Sequence, residues 1–149
     1  MTCTRSQLID EAMSWLGTPY QTHQSCKGAG CDCGGFCYGV WRNVGLLPAD
    51  AQPERMSAQW YLHRTDEVIV RNLQSHGATE IPLDDAKPGD VLTFQYGRAQ
   101  SHMAFLLPRG RIIHSYAYKR IVCIDPLEAL MPKFRKAWLV PGLADDLEG

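Results

Sequence analysis

The stretch GAGCDCGGFCYGVW, residues 28–41, packs three of the chain's six cysteines into seven positions and then runs into an apolar repeat. Phe36, Cys37, Val40, Trp41 and, just beyond, Val44 recur at the three- and four-residue spacing of one helical face. Gly45 stands where a helix stop belongs. A helix is therefore expected to begin at or near Cys33, fed by a glycine-rich loop. Three roles compete for the cysteines: a metal site, a disulfide staple, or one reactive thiol among inert neighbours. Cys26, Cys31, Cys33 and Cys37 are separated by four, one and three residues. Structural zinc sites instead use two short-spaced pairs set well apart, and iron–sulfur runs have other spacings. No metal ligand set and no cofactor is expected.

Cys33 suits the third role. It sits where the loop turns into the helix, and first-turn N–H groups and the helix dipole favour a thiolate there. A thiol pKa below the usual ~8.5 is the expectation. Gly34 and Gly35 leave the backbone bare beside it, so that a substrate carbonyl can approach and meet a backbone N–H as an oxyanion donor. Cys37 points into the apolar stripe as a small core residue. Cys3, Cys26, Cys31 and Cys123 are read as structural or incidental.

Upstream, residues 4–16 read as a helix. Thr4 and Gln7 have the capping-box spacing, and Leu8, Ile9, Ala12, Trp15 and Leu16 share a face. Gly17 and Pro19 end it, and residues 18–32 read as a loop. A further helix is expected over about 57–74, although Val68, Ile69 and Val70 are β-branched and argue against it. After IPLDDAKPGD (81–90) the texture changes. DVLTFQY, HMAFLL, RIIHSYAY, RIVCID and KAWLVP are short, rich in β-branched and aromatic residues, and separated by turn signals. Helices first and strands second predict one α+β domain over 1–149, with N-terminal helices packed on a C-terminal antiparallel sheet. The tail GLADDLEG is expected to fray.

A base for the thiol must come from the five histidines. His23, His63 and His76 fall in expected loop or exposed helix. His102 opens one strand and His114 lies in the next, with Pro108–Gly110 as the turn, so both rings can reach one face of the sheet. A thiol, a histidine and a second polar group behind it make a generalised triad.

Bulk properties narrow the classes. At 149 residues, 45% hydrophobic and 21% charged, the chain is long enough to bury a real core. A net charge of −1 gives no electrostatic footprint for nucleic acid. No stretch reaches the ~18 apolar residues of a membrane span, and the N-terminus lacks the pattern of a secretory signal. Cytoplasmic synthesis is expected, and a disulfide framework is not.

Three motifs bring the sequence close to a known family, the NlpC-type cysteine peptidases of bacterial cell walls, and within it the short phage-tail members. WLGTPYQTHQSCKGAGCDCGGFCYGVW resembles the family's Gly-x-x-Tyr segment and Asp-Cys-small-Gly-apolar nucleophile motif. LDDAKPGDVLTF resembles its Lys-Pro-Gly-Asp entry to the sheet. SHMAFLLPRGRIIHSY resembles its histidine strand, hairpin and third polar residue, with eleven residues between His102 and His114. The resemblance covers about residues 7–140 and implies a papain-like fold. It makes Cys33 the nucleophile, His102 the base and His114 the group that orients His102. Tyr20 would line the oxyanion region, and Asp32 would serve local structure or a substrate amine. Gly34 departs from the family's common Ser or Ala.

The implied reaction is metal-free hydrolysis of an amide in a peptidoglycan stem peptide, at the bond from γ-D-glutamyl to the diamino acid. The implied carrier is a phage or prophage tail whose proteins would be partners; an exported toxin fits as well. Other classes remain open: a papain-like amidase or acyltransferase on another acyl group, or a non-catalytic tail-assembly protein.

Overall fold

A computed structural model describes residues 2–54, 65 and 67–147. Its first helix, α1, spans Arg5–Met13. The capping box forms as the spacing predicts: Gln7 N–H donates to Thr4 Oγ1 at 3.1 Å, and Thr4 N–H donates to Gln7 Oε1 at 2.9 Å. The helix ends earlier than expected, yet Trp15 still reaches the core at 1% exposure while Leu16 turns outward. Residues 18–32 are not structureless. They hold a short hairpin, Ser25–Cys26 (β2) against Gly30–Cys31 (β3).

Helix α2 spans Cys33–Asn43, starting where the sequence places it. Phe36, Cys37, Val40 and Trp41 are all buried. It closes in a Schellman motif: Gly45, at φ +82°, donates to Arg42 O, and Leu46 N–H donates to Trp41 O. Helix α3, Val68–Ser75, takes up only the last part of the helix expected over 57–74, because Thr65 is non-helical and Glu67 stands at the N-cap, so that span is not one continuous helix. Residues 57–64, with His63, lie outside the described residues.

The second half forms a six-stranded antiparallel sheet. Its strands are Thr79–Ile81 (β4), Val91–Gln95 (β5), Gln100–Leu107 (β6), Arg111–Tyr116 (β7), Ile121–Pro126 (β8) and Phe134–Leu139 (β9), in the spatial order β4-β9-β5-β6-β7-β8. Strand alternation gives the sheet two buried faces. Val91, Met103, Phe105, Ile113, Val122 and Trp138 join the core shared with α1 and α2. Leu92, Phe94, Ala104, Ile112 and Ala137 pack on the other side with Leu130 of the 3₁₀ segment Leu127–Lys133.

The described part of the tail, through residue 147, does not fray as expected. Leu143–Ala144 (β10) pairs in parallel with Cys3–Thr4 (β1). Arg5, only 3% exposed, bonds to Asp145 Oδ1 at 2.6 Å, Asp90 Oδ1 at 2.9 Å and Pro88 O at 3.0 Å. One buried guanidinium thus ties the first helix, the entry to β5 and the C-terminal segment together.

Candidate active site

The site forms where β6 and β7 stop pairing. Leu106 turns its N–H and C=O toward the chain entering β5, bonding to Asp90 O and Gly89 N. Phe105 and Met103 of β6 therefore present theirs to β7. Ser101 is the extra residue of a bulge in the β5–β6 register. The β6–β7 ladder ends at Phe105↔Ile113, which leaves the β7-facing groups of Met103 to other partners. The N-terminus of α2 supplies one. Cys33 Sγ donates to Ser101 O at 3.6 Å, and the backbone N–H groups of Met103 and Gly34 point at the sulfur. The thiol is thus seated against the backbone on both sides of His102. Across the gap, Ser115 Oγ donates to Cys31 O at 2.8 Å and holds the loop before the helix to β7.

Asp32 caps α2. Its Oδ1 accepts from Gly35 N–H at 2.7 Å and its Oδ2 from His23 N–H at 2.8 Å. This realises the local-structure half of the sequence reading for Asp32. Gly35 is needed because an added Cβ would lie 1.9 Å from Gln24 O. At Gly34 nothing lies within 4 Å of an added Cβ, so the site has room for the family's larger residue. Tyr20 is held beside this loop by its backbone, bridging to Cys31 and donating to Arg120 O at 2.9 Å.

The histidines meet as the strand spacing predicts. His102 Nε2 and His114 Nδ1 are 2.8 Å apart, with the rings 6% and 0% exposed. A residue missed in the sequence stands behind them: Asp125 Oδ2 lies 2.8 Å from His114 Nε2. Lys119 Nζ bonds to the other carboxylate oxygen, and Cys123 Sγ donates to Oδ2 at 3.4 Å. The signal was in the register. Counting outward from the β7–β8 turn pairs His114 with Cys123, and Asp125 follows two residues on, on the same face.

This network assigns the protons. The carboxylate only accepts, so His114 Nε2 carries hydrogen. His114 Nδ1 then accepts from His102 Nε2–H. His102 is left with a bare Nδ1, the form a base needs. Tyr116 stacks on His114 at 4.5 Å between centroids, and Tyr96 Oη sits 3.2 Å from Tyr116 Oη, which closes the apolar side of the pair.

Electrostatics correct one expectation. Burial, with the charge of Asp32 adding to it, pushes the Cys33 thiol up to about 12 against the pull of the Met103 and Gly34 N–H groups. Desolvation by the strand edges outweighs the helix terminus, so the resting sulfur is protonated. Burial and His114 hold His102 well below the usual histidine value. Burial tends to raise Asp125, but the bonds from Lys119, His114 and Cys123 outweigh it and keep the carboxyl below the ordinary range. All six cysteines are unpaired. Cys26, Cys31, Cys33 and Cys37 do not converge as a ligand set; among the described residues only His114, Cys123 and Asp125 do.

The model of the NlpC/P60 family matches residues 17–138. A probable endopeptidase of Mycobacterium tuberculosis strain H37Rv is 28% identical over 129 residues, 86% of this chain and 28% of that protein. The gamma-D-glutamyl-L-lysine dipeptidyl-peptidase of Bacillus subtilis strain 168 is 28% identical over 116 residues, 75% of this chain and 32% of that one. The chain therefore spans about a third or less of these relatives. Among solved structures, the NlpC/p60 domain of the peptidoglycan hydrolase SagA superposes with a TM-score of 0.65 at 23% identity, covering 91% of this chain and 98% of that one. RipD of Mycobacterium tuberculosis, described as a non-catalytic NlpC/p60 protein, gives 0.61 at 13% identity, covering 92% and 96%. The α+β architecture is thus the papain-like one, and with the family match running from the end of the first helical segment into the last long strand, this chain belongs to the NlpC/P60 family.

Proposed function

We propose that this chain is a cysteine peptidase acting on peptidoglycan stem peptides, with Cys33 as nucleophile, His102 as base and His114 as the group that orients it. The observation that carries this reading is the seating of Cys33 Sγ on the backbone flanking His102, whose far nitrogen is bonded to His114 at 2.8 Å.

In the resting site both partners are neutral. As Sγ attacks the amide carbonyl, its proton passes to the bare Nδ1 of His102. The imidazolium is stabilised through His114 by the Asp125 carboxylate. The carbonyl oxygen develops charge near the first-turn N–H groups of α2, with Gly34 among the donors and Tyr20 on the neighbouring loop. His102 then hands its proton to the leaving amine, and a thioester remains. Water deprotonated by His102 cleaves it. Asp125 is a positioning residue, since it acts only through His114.

The bond we favour is the one from γ-D-glutamyl to the diamino acid, as the name of the Bacillus subtilis relative suggests. Delivery by a phage tail is the finer reading, supported by the likeness of the loop KGAGCDC and the run GVWR to the short phage-tail members. The test is incubation with defined muropeptides beside Cys33→Ala, with a chelator present, read by mass spectrometry. Cleavage lost in the variant supports the reading, and the product masses identify the bond. A folded chain that binds muropeptides without cleaving them would place it with the non-catalytic members instead.

A further inference from the structure

His114, Cys123 and Asp125 bring a ring nitrogen, a sulfur and a carboxylate oxygen within 4.8 Å of one another. The β7–β8 ribbon builds the arrangement. His114 and Cys123 are directly opposed, and Asp125 is the next residue on the same face of β8. We propose that these three side chains bind a borderline-soft divalent cation of the Zn2+ class, and that the bound cation switches off the imidazole pair.

The donor set favours this cation over hard ones. Nitrogen, thiolate and one carboxylate with an open fourth position form a normal zinc coordination set, whereas Mg2+ and Ca2+ take oxygen. Two of the three ligand pairs are near the spacing a cation needs, and the third, His114 to Cys123, lies within 4.8 Å and closes as the ion binds. Tetrahedral ligands at zinc distances stand about 3.3–3.6 Å apart. Cys123 Sγ and Asp125 Oδ2 are already at 3.4 Å. His114 Nε2 and Asp125 Oδ2, at 2.8 Å, need to open by about 0.5 Å. Lys119 occupies the other carboxylate oxygen, so Oδ2 can ligate while that bond persists. Its charge opposes the cation, but its side chain is 53% exposed and can move into solvent. Cys123 is partly exposed and gives the ion a way in.

Binding would disturb the network in a defined way. The cation takes the Nε2 lone pair of His114, so the proton of that ring moves to Nδ1. His114 Nδ1 now donates, and His102 Nε2 must accept. The proton of His102 moves to its own Nδ1, the atom that otherwise receives the Cys33 proton. Each ring keeps one proton, Cys123 loses one to solvent as its thiolate ligates, and no electron is transferred. The inhibitory part rests on the functional reading above; the binding part does not.

The purified chain is titrated with Cd2+ as a spectroscopic stand-in and with Zn2+. The expected result is one cation per chain with a thiolate-to-Cd2+ charge-transfer band that persists in Cys33→Ala and is lost in Cys123→Ser. In the unmodified chain, Zn2+ protects Cys123 from alkylation, read by peptide mass spectrometry, so the result does not depend on a variant folding. Saturating Zn2+ lowers the muropeptide rate about tenfold or more, and Cys123→Ser raises the Zn2+ concentration needed for half that effect by at least about 10-fold, more than loss of an outer-shell partner would, each rate taken relative to the same protein without metal. A band that survives Cys123→Ser, or that is lost in Cys33→Ala, overturns the site. So does unprotected alkylation of Cys123. If the chain proves to have no peptidase activity, the Cd2+ band and the alkylation pattern still decide the site.

Discussion

Replacing Asp125 with asparagine tests the proton assignment on which the site depends. The carboxylate accepts from Lys119 on one oxygen and from His114 on the other. An amide has only one oxygen. With the Lys119 ammonium in place, that oxygen turns toward lysine and the NH2 faces His114 Nε2. His114 must then accept at Nε2 and carry its proton on Nδ1, which points at the Nε2–H of His102 across 2.8 Å. Two buried donors facing each other cost about 1–3 kcal/mol. His102 escapes by moving its proton to Nδ1, which removes the base. The competent tautomer is thus depleted roughly 5- to 150-fold, and kcat/KM for a cleaved muropeptide falls by that factor.

The same geometry supplies a suppressor. In Asp125→Asn with Lys119→Met, the amide is free to turn its oxygen to His114, and a large part of the rate returns. Long-range ¹H–¹⁵N spectra of the imidazoles read the tautomers without substrate. They should show His102 as Nε2–H in the parent and as Nδ1–H in Asp125→Asn. A rate within twofold of the parent, or a double variant no faster than the single one, would refute the reasoning.

Three further outcomes follow from the geometry. Gly35→Ala drives a Cβ to 1.9 Å from Gln24 O and should lower the thermal unfolding midpoint and displace the Cys33 loop; Gly34→Ala, with open space around it, should fold as the parent does. Arg5→Ala removes the counter-charge of Asp90, which is 1% exposed, and should cost about 3–5 kcal/mol in urea unfolding; the half-exposed Asp145→Ala should lose far less, and equal losses would contradict the clasp. Alkylation of Cys33 by iodoacetamide should be slower near pH 7 than that of a model thiol and keep rising with pH toward its pKa of about 12; a plateau below pH 8 would show that the helix terminus wins over burial after all.

Much of the site was legible because its determinants are local. The capping box of Thr4 and Gln7, the stripe from Phe36 to Trp41 and the stop at Gly45 depend on residues three or four apart. The spacing of His102 and His114 around one tight turn fixes their shared face, because side chains alternate along each strand. The seat of Cys33 is not local. It requires β6 and β7 to part beyond Phe105↔Ile113 and a helix end to enter the opening. That same entry reverses the expected thiol shift, since a helix dipole is a property of one helix while desolvation is set by everything packed around it.

Read from the chain alone, helices come before a run of strands, one helix begins at Cys33, the two histidine strands pair, and a thiol with imidazoles is on offer. Periodicity and turn residues act over a few positions, and those positions are written in the chain. Folding was needed to set Lys119 on the second oxygen of Asp125, to fasten the tail to the core through Arg5, and to bury the thiol so that its pKa rises. Each of these depends on side chains that meet only in three dimensions or on burial from several elements at once, and neither exists until the chain has folded.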